Sequence, residues 1–414
     1  MYRTYNARPI PKPYQPRRNH KKALAFVLSL LVLFAGMYVG YALLRPVTDL
    51  KTTVLPPVLP AQVKVNIPWP SVGQAAFGAD GYGLLASYAE QKPSPTASVT
   101  KAITALAILE KHPLRPGETG PLLTFSARDV GLYNEYVAKD GAAVPVVEGE
   151  KISQYQALQA MMLPSANNIA DTTAIWAFGS MEAYTAYANN YVRKLGMLQT
   201  TVADASGFSP STVSTASDLI RLGDAALDNP VLAEIVAQKE AVFPGYGTVK
   251  NVNSLLGQSG IRGIKTGNTE EAGGCYLAAA DIMVAGKKIT VITAIMGSTD
   301  RPKAMRDSVP IIQSAVSQFQ NVNVIRAGQK VGSVVSPWGA RSDVIAEQGV
   351  SVLAWTGTAL APKVTAQTIT APAPSSTDVG KLTLSYEGKV YESMLHTKNA
   401  ITAPTTWWRL SHPW

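Results

Sequence analysis

The sequence is poor in the residues that most often bind metals or form disulfides. Its 414 residues include one cysteine, Cys275, and four histidines, at positions 20, 112, 396 and 412. One cysteine excludes an intrachain disulfide, and its apolar neighbours predict a small buried strand residue rather than a nucleophile. No two histidines have the spacing of a metal site. The sequence therefore argues against zinc hydrolases and Ser-His-Asp hydrolases, and we expect neither a metal nor a cofactor.

Acidic residues are absent from residues 1–22, which contain seven basic residues and four prolines. A basic, proline-rich segment without apolar runs predicts a disordered cytoplasmic tail. The whole chain has a net charge of +9, and subtracting those seven charges leaves +2 for the remainder. A nearly balanced remainder has no basic surface for phosphates, so we expect no nucleic-acid binding.

Charged residues of either sign are absent from residues 23–44. As a helix this stretch would be about 33 Å long, enough to cross a hydrocarbon core of about 30 Å. The basic flank predicts a cytoplasmic amino terminus and an extracellular or periplasmic remainder. A cleaved signal peptide is the alternative, but its apolar region is usually only about 7–15 residues long. We therefore predict a retained membrane anchor, followed by a proline-rich extended spacer over 45–66.

The chain after the spacer is hydrophobic enough to fold. Apolar runs around Ala79-Asp80-Gly81 predict an early hairpin, and three strand-like stretches follow much later, near 260–265, 274–280 and 288–296. Residues 120–150 have no clear period, and helices are predicted over about 102–109, 154–163, 168–178, 181–194, 216–229 and 300–319. Ser153 and Gln156 fit a capping box at the start of the second of these. This order is typical of an α+β domain, which we expect over 67–320.

From residue 321 to residue 414 the pattern changes to short alternating apolar runs separated by glycine and proline. Such a pattern predicts a small all-β domain. Three tryptophans, Trp407, Trp408 and Trp414, lie near the end of the chain. Because indole rings bury a large area, we expect them to pack on the β domain rather than to touch a membrane.

The segment with the most chemical content begins at Ser98, just before an apolar helical run. Lys101 lies three residues later, so both side chains share one helix face. A lysine with the ordinary pKa of about 10.4 cannot take a proton from serine, but partial burial could lower that pKa to about 7–8. Ser98 would then be a nucleophile with Lys101 as its base. An isolated Ser-x-x-Lys is more often a helix cap and an exposed lysine.

Two further motifs favour the chemical interpretation. Ser165-Ala166-Asn167 follows Pro164 in a turn between two predicted helices, and Lys265-Thr266-Gly267 lies on a predicted strand. Either motif alone would be ordinary turn or strand sequence. Ser-x-x-Lys, Ser-x-Asn and Lys-Thr-Gly in this order are the signature of penicillin-binding proteins and serine β-lactamases.

On these motifs the chain resembles the low-molecular-weight D-alanyl-D-alanine carboxypeptidases. The resemblance implies a penicillin-binding/β-lactamase-like domain, an antiparallel sheet with helices, followed by a β-rich domain. It implies a peptidoglycan stem peptide ending in D-Ala-D-Ala as substrate and β-lactam antibiotics as covalent inhibitors. The residues that match the family's catalytic set are Ser98, Lys101, Ser165 and Asn167, and those that match its substrate-binding set are Lys265, Thr266, Gly267 and Asn268. The backbone N–H groups of Ser98 and Asn268 are the implied oxyanion donors.

Three departures from the family pattern have separate consequences. Asn268 replaces an aromatic or histidine found in many relatives, which affects substrate preference. Ala166 replaces a common glycine, which is compatible with the motif if the backbone there is not left-handed. The carboxyl end lacks the family's usual amphipathic helix, so the amino-terminal helix would provide the anchor.

The sequence leaves several functions open within this family. A D,D-endopeptidase or a transpeptidase would differ only in the bond cleaved or the acceptor used. A catalytically silent penicillin-binding wall sensor is also possible, although Ser98, Lys101 and Lys265 are all present. A class A β-lactamase is disfavoured because no Glu-x-x-Leu-Asn run follows the Ser-x-Asn motif.

Overall fold

A computed structural model of the chain describes residues 8–11, 20–62 and 64–412. Most of the predicted cytoplasmic tail, and Trp414, lie outside the described residues. The helices are α1 (His20–Leu44), α2 (Thr100–Lys111), α3 (Ala127–Ala138), α4 (Gln154–Met162), α5 (Asn167–Phe178), α6 (Met181–Lys194), α7 (Ala216–Asp228), α8 (Pro230–Ala237), α9 (Arg301–Gln318) and α10 (Thr406–Ser411), and a 3-10 turn spans Ala97–Val99.

The strands follow the same chain order. They are β1 (Thr52–Val54), β2 (Gln74–Ala79), β3 (Gly83–Tyr88), β4 (Ser94–Pro95), β5 (Leu122–Thr124), β6 (Lys151–Ser153), β7 (Val213–Ser214), β8 (Glu240–Phe243), β9 (Gly247–Lys250), β10 (Ile261–Thr269), β11 (Gly273–Val284), β12 (Lys287–Ser298), β13 (Phe319–Ile325), β14 (Lys330–Val335), β15 (Arg341–Ala346), β16 (Val350–Trp355), β17 (Lys363–Ala366), β18 (Asp378–Tyr386) and β19 (Lys389–Thr397).

A five-stranded antiparallel sheet with the order β10-β11-β12-β2-β3 organises the larger part of the chain. Because successive side chains on a strand point to opposite faces, this sheet separates two cores. Leu277 and Ala279 of β11 belong to the core formed with α2 and α7. Tyr276 and Ala278 belong to the core formed with α9. The predicted α+β class and the early hairpin are confirmed.

Helix α2 is the central helix of the first core. Every residue from Thr100 to Leu109 is buried, including Lys101. A helix that is covered all round lies inside a domain, and α2 contacts α4, α5, α6 and α7. The 3-10 turn that precedes α2 contacts edge strand β10.

Most predicted helices are present, and the predicted capping box of Ser153 and Gln156 starts α4. The prediction that residues 120–150 are irregular was wrong, because they contain β5 and α3. Helix α3 begins with a capping box in which Asp129 accepts hydrogen bonds from the backbone N–H and the hydroxyl of Ser126. Aspartate replaces the usual glutamate or glutamine in this motif, so the start signal was weak. Helix α8 and the β8–β9 hairpin were also not predicted.

The carboxyl-terminal region is rich in strands, as expected. One sheet has the order β1-β14-β15-β19-β18-β17, and β13 pairs with β16. Strand β1 comes from the predicted spacer, since Thr52–Val54 pairs with Gly332–Val334 of β14. Part of the spacer is therefore an edge strand of the carboxyl-terminal sheet.

Among the described residues, α1 is the helix long and apolar enough to cross a membrane. It is a candidate anchor or signal sequence. Helix α10 packs against its end, where Arg409 Nη1 donates to the carbonyls of Leu43 (3.1 Å) and Arg45 (2.8 Å). The ring of Trp408 packs on Trp338, in line with the expected burial, but Trp407 is 77% exposed, contrary to it.

The close contact between β11 and the start of α9 gives a stability prediction. A Cβ added at Gly274 would lie 2.0 Å from the carbonyl oxygen of Asp300, a backbone atom that cannot rotate away. We expect Gly274→Ala to lower the free energy of unfolding by about 1–3 kcal/mol or more. Thermal unfolding of the detergent-solubilised chain measures the change.

The matched control is Gly131→Ala, in α3, where a Cβ would meet nothing within 4 Å. That change should be neutral or stabilise the protein by up to about 1 kcal/mol, because alanine is the better helix former. Equal unfolding temperatures for the two variants would contradict the close backbone contact between Gly274 and Asp300.

Candidate active site

The site is built around the 3-10 turn Ala97–Val99 that precedes α2. Two glycines allow other segments to approach this turn closely. A Cβ on Gly207 would lie 1.9 Å from the carbonyl oxygen of Ala97, and one on Gly267 would lie 3.0 Å from the amide nitrogen of Ser98. The glycine of the Lys-Thr-Gly motif is thus required by backbone contact between β10 and the turn.

Ser98 and Lys101 are in direct contact. Lys101 Nζ lies 2.8 Å from Ser98 Oγ, 2.6 Å from Asn167 Oδ1 and 2.7 Å from the carbonyl oxygen of Ser206. Lys101 is fully buried. Its amine is therefore shielded from bulk solvent and meets three oxygen partners.

Burial lowers the pKa of Lys101 to about 7, although the nearby carboxylates of Asp204 and Asp171 act in the opposite direction. Desolvation dominates because the charged ammonium loses its hydration shell. The value agrees with the range expected from the sequence. At neutral pH a large fraction of the molecules thus has an uncharged amine next to the Ser98 hydroxyl.

The Ser-Ala-Asn motif is contributed by the connection between α4 and α5. Ser165 has a left-handed backbone (φ 69°), whereas Ala166 has φ −61°. The methyl group of Ala166 therefore causes no backbone strain. Asn167 is the first residue of α5 rather than a loop residue, and its side chain reaches Lys101. Ser165 Oγ is buried and has no hydrogen-bond partner among the described residues.

The Lys-Thr-Gly motif lies on β10, as predicted, with Gly267 opposite the buried Cys275 of β11. Lys265 is only 2% exposed, and its Nζ donates to the carbonyl oxygen of Thr266 at 3.1 Å. Burial holds the pKa of Lys265 well below its ordinary value, and the positive charges of Lys101 and Arg301 lower that pKa further. No carboxylate lies within ion-pair distance of Lys265 in the described part of the chain.

The last residue of the predicted set, Asn268, is next to this motif at the end of β10. Its side-chain oxygen accepts a hydrogen bond from the backbone N–H of Arg301 at 3.1 Å. The Asn268 side chain therefore joins β10 to the start of α9. The structure thus brings all three motifs to one end of α2, against edge strand β10.

Sequence reasoning missed several residues around Lys101. The Tyr136 hydroxyl donates to Asp171 Oδ2 at 2.7 Å and lies 3.2 Å from Ser206 Oγ. Ser206 Oγ in turn donates to Asp204 Oδ2 at 2.8 Å. None of these residues belongs to a local motif. The one usable signal was the capping box of α3, the helix that carries Tyr136.

Comparisons with known proteins relate the chain to one family. A family model described as D-alanyl-D-alanine carboxypeptidase matches residues 80–300. The D-alanyl-D-alanine carboxypeptidase DacD of Salmonella typhimurium is 26% identical over 61% of this chain and 64% of its own length. A D-alanyl-D-alanine endopeptidase of Pseudomonas aeruginosa is 30% identical over 48% of this chain and 64% of its own length. The chain thus matches less than two thirds of these relatives.

The fold has known counterparts as well. The crystal structure of the D-alanyl-D-alanine carboxypeptidase DacD from Francisella tularensis superposes with a TM-score of 0.56 at 18% identity, covering 83% of this chain and 96% of that one. The family match spans more than half of the chain and contains the turn, the start of α5 and strand β10. The chain therefore belongs to the D-alanyl-D-alanine carboxypeptidase family.

Proposed function

We propose that the protein is a membrane-anchored D-alanyl-D-alanine carboxypeptidase that removes the terminal D-alanine from peptidoglycan stem peptides through a serine acyl-enzyme. The observation that carries the proposal is the buried contact of 2.8 Å between Lys101 Nζ and Ser98 Oγ. The pKa of Lys101, lowered by burial to about 7, provides an uncharged base at neutral pH.

In the first step Ser98 Oγ attacks the carbonyl carbon of the penultimate D-alanine. An uncharged Lys101 has two N–H groups, which Asn167 Oδ1 and the Ser206 carbonyl can accept, and one lone pair directed at the Ser98 hydroxyl. The amine takes the hydroxyl proton as the oxygen–carbon bond forms. The three contacts thus orient the lone pair toward the proton that it removes.

The carbon–nitrogen bond then breaks, and the leaving D-alanine needs a proton on its nitrogen. Ser165 supports this step because its buried hydroxyl has no partner among the described residues and is free to pass on the proton held by Lys101. Water then attacks the acyl-enzyme, with Lys101 again as base, and releases the shortened peptide. The backbone N–H groups of Ser98 and Asn268 would stabilise the oxyanion, and the close approach of Gly267 to Ser98 supports their pairing.

The terminal carboxylate of the substrate would bind at Lys265, with a further contact from the Thr266 hydroxyl. Lys265 is buried, faces the positive charge of Arg301 and has no carboxylate partner in the described chain. A buried cation without a counter-ion favours an anionic ligand, because the ligand compensates for lost hydration. β-Lactam antibiotics carry a carboxylate and a reactive carbonyl, so they would acylate Ser98 as inhibitors.

The proposal includes the expected topology and domain roles. Helix α1 would be a single-pass anchor with a cytoplasmic amino terminus and an extracellular or periplasmic catalytic domain. We assign catalysis to residues 67–320 and a separate β domain to 321–414. This division is supported by sheet composition, because the five-stranded sheet and the carboxyl-terminal sheet share no strand.

Endopeptidase activity is the second candidate, because one relative is named a D-alanyl-D-alanine endopeptidase. The two activities need the same nucleophile and base and differ in whether the leaving amine belongs to free D-alanine or to a cross-link. Transpeptidation and a silent sensor role use the same pocket.

The first prediction concerns the nucleophile and the products. Fluorescent penicillin should label the wild-type protein covalently, and Ser98→Ala should abolish the labelling because no oxygen remains to acylate. The exposed serine change Ser385→Ala is the matched control and should label normally. Mass spectrometry of stem peptides should show loss of one D-alanine from a pentapeptide.

The possible products separate the candidates. Cleaved cross-links would favour an endopeptidase, and new cross-links a transpeptidase. Labelling without any change in the peptides would favour a sensor and contradict the proposed activity.

A second prediction concerns pH. Since only the uncharged amine of Lys101 can accept a proton, the acylation rate should rise with pH through about 7 and be low where the ammonium form predominates. Stopped-flow acylation by a chromogenic cephalosporin across pH 5–9 measures this rise, the acid limb of the pH profile. A rate that is constant from pH 5 to pH 9 would rule out Lys101 as the base.

A third prediction concerns the carboxylate site. Lys265→Met should reduce kcat/KM for a peptide ending in D-Ala-D-Ala by about 10–150-fold, the range expected for a lost charged hydrogen bond. The same peptide with a carboxyl-terminal amide lacks the negative charge, so Lys265→Met should reduce kcat/KM for that peptide much less. An equal loss for both peptides would show that Lys265 does not recognise the carboxylate.

A further inference from the structure

A buried carboxyl group, that of Asp171, interacts electrostatically with Lys101. Asp171 is on α5, four residues after Asn167, so both side chains share the helix face that meets α2. Asp171 Oδ2 accepts a hydrogen bond from the Tyr136 hydroxyl at 2.7 Å. Asp171 Oδ1 is buried without a hydrogen-bond partner among the described residues. Among the described residues the carboxyl group thus receives a single hydrogen bond, in a buried position.

The neighbouring carboxylate is held very differently. Asp204 accepts hydrogen bonds from the backbone N–H groups of Phe208 and Ser209 and from the hydroxyls of Ser206 and Thr212. Several donors stabilise an ionised carboxylate, whereas one donor leaves Asp171 easy to protonate. Asp171 therefore has fewer donors to stabilise its ionised form, and burial raises its pKa.

A short chain of polar contacts connects Asp171 to the amine. The Tyr136 hydroxyl also contacts Ser206 Oγ at 3.2 Å, and the carbonyl of Ser206 accepts from Lys101 Nζ at 2.7 Å. Burial raises the pKa of Tyr136, so its hydroxyl remains protonated and continues to donate. The edge contact of the Tyr136 ring with Phe208, with centroids 5.5 Å apart, fixes its direction. Tyr136 thus anchors both Asp171 and the segment that holds Lys101.

We propose that Asp171 is a positioning residue whose charge sets the pH range in which Lys101 is an uncharged base, and that Tyr136 keeps Asp171 partly ionised. The proposal rests on the proposed function only in taking Ser98 and Lys101 as nucleophile and base. It assigns no proton transfer from substrate to Asp171.

An ionised Asp171 favours the ammonium form of Lys101, and a neutral Asp171 does not. Burial raises the pKa of Asp171 to about 7, which is also the region in which Lys101 titrates. Two interacting groups with similar pKa values titrate as a pair. While Ser98 transfers its proton, the anionic form of Asp171 stabilises the ammonium that develops.

Other charged or titratable groups face this pair, and all of them except Tyr136 are the same residues in every variant. They are Glu135 and Tyr136 from α3, Tyr184 from α6, Asp204 from the loop before β7, and Lys265 from β10.

The test uses the full chain in detergent micelles and measures the rate of acylation by penicillin from pH 5 to pH 10. Asp171→Asn removes the charge and keeps an oxygen for the Tyr136 hydroxyl. We expect the acid limb of its profile to lie about one pH unit lower than that of the wild type, because Lys101 loses an anionic neighbour. The maximal rate should fall, because the developing ammonium is less stabilised.

Tyr136→Phe provides an independent test. In the wild type the hydrogen bond from the Tyr136 hydroxyl lowers the pKa of Asp171. Without that hydrogen bond Asp171 is more often neutral. The acid limb should therefore move in the same direction as in Asp171→Asn, by a smaller amount. Tyr136→Phe keeps the aromatic ring at position 136. If Asp171→Asn does not fold, the shift of the acid limb in Tyr136→Phe alone tests the proposal.

The matched control is Asp129→Asn. Asp129 is also buried, but it pairs with Ser126, Arg128 and Thr172 rather than with residues at Lys101. This change should lower the unfolding temperature and leave the acid limb in place. A shift in Asp171→Asn and Tyr136→Phe, but not in Asp129→Asn, supports the proposal.

Asp171→Asn and Tyr136→Phe profiles that fall at every pH without moving along the pH axis would overturn the proposal and leave Asp171 a purely structural residue. Release of D-alanine from a pentapeptide is measured separately. Acylation without release of D-alanine would contradict the carboxypeptidase activity. The shift of the acid limb could still be measured, because it depends on acylation alone.

Discussion

The burial of the Lys101 amine is the constraint on which the site depends. A charged ammonium without water or a counter-ion is costly in a protein interior, whereas an uncharged amine with three oxygen partners is not. Lys101 is fully buried, and its contacts are a hydroxyl, an amide oxygen and a backbone carbonyl. The packing that stabilises α2 therefore also favours the form of the amine that can act as a base.

This constraint accounts for the arrangement of elements around α2. The helix is covered on every side, and Ser98 lies in the 3-10 turn before it, which contacts β10. Gly207 and Gly267 allow the neighbouring backbones to come close enough to close that end. The three motifs are far apart in sequence because the sheet, the central helix and the α4–α5 connection each supply one side of the pocket.

The sequence predicted what depends on local pattern. The Ser98 helix, the capping box at Ser153 and the Lys265 strand each have a short-range signal, and each lies where it was expected. Contacts that depend on tertiary packing had no such signal. Tyr136 lies in a segment that was expected to be irregular, and Asp171 is one polar residue in an otherwise ordinary helix. The strand Thr52–Val54 pairs with residues near 333, a partner that no local pattern indicates.

Lys101 lies between positive and negative neighbours, and this position links substrate binding to base strength under the proposed function. The positive neighbours are Lys265 on β10 and Arg301 at the start of α9, and the negative ones are Asp204 in the loop before β7 and Asp171 on α5. Both buried lysines cannot be charged at low cost, because each disfavours the charge of the other. A substrate carboxylate at Lys265 would stabilise the ammonium there, and that charge would keep Lys101 neutral. The substrate, which needs Lys101 as its base, would thus also favour the uncharged form of Lys101. The carboxylates of Asp171 and Asp204 limit how far the pKa of Lys101 falls.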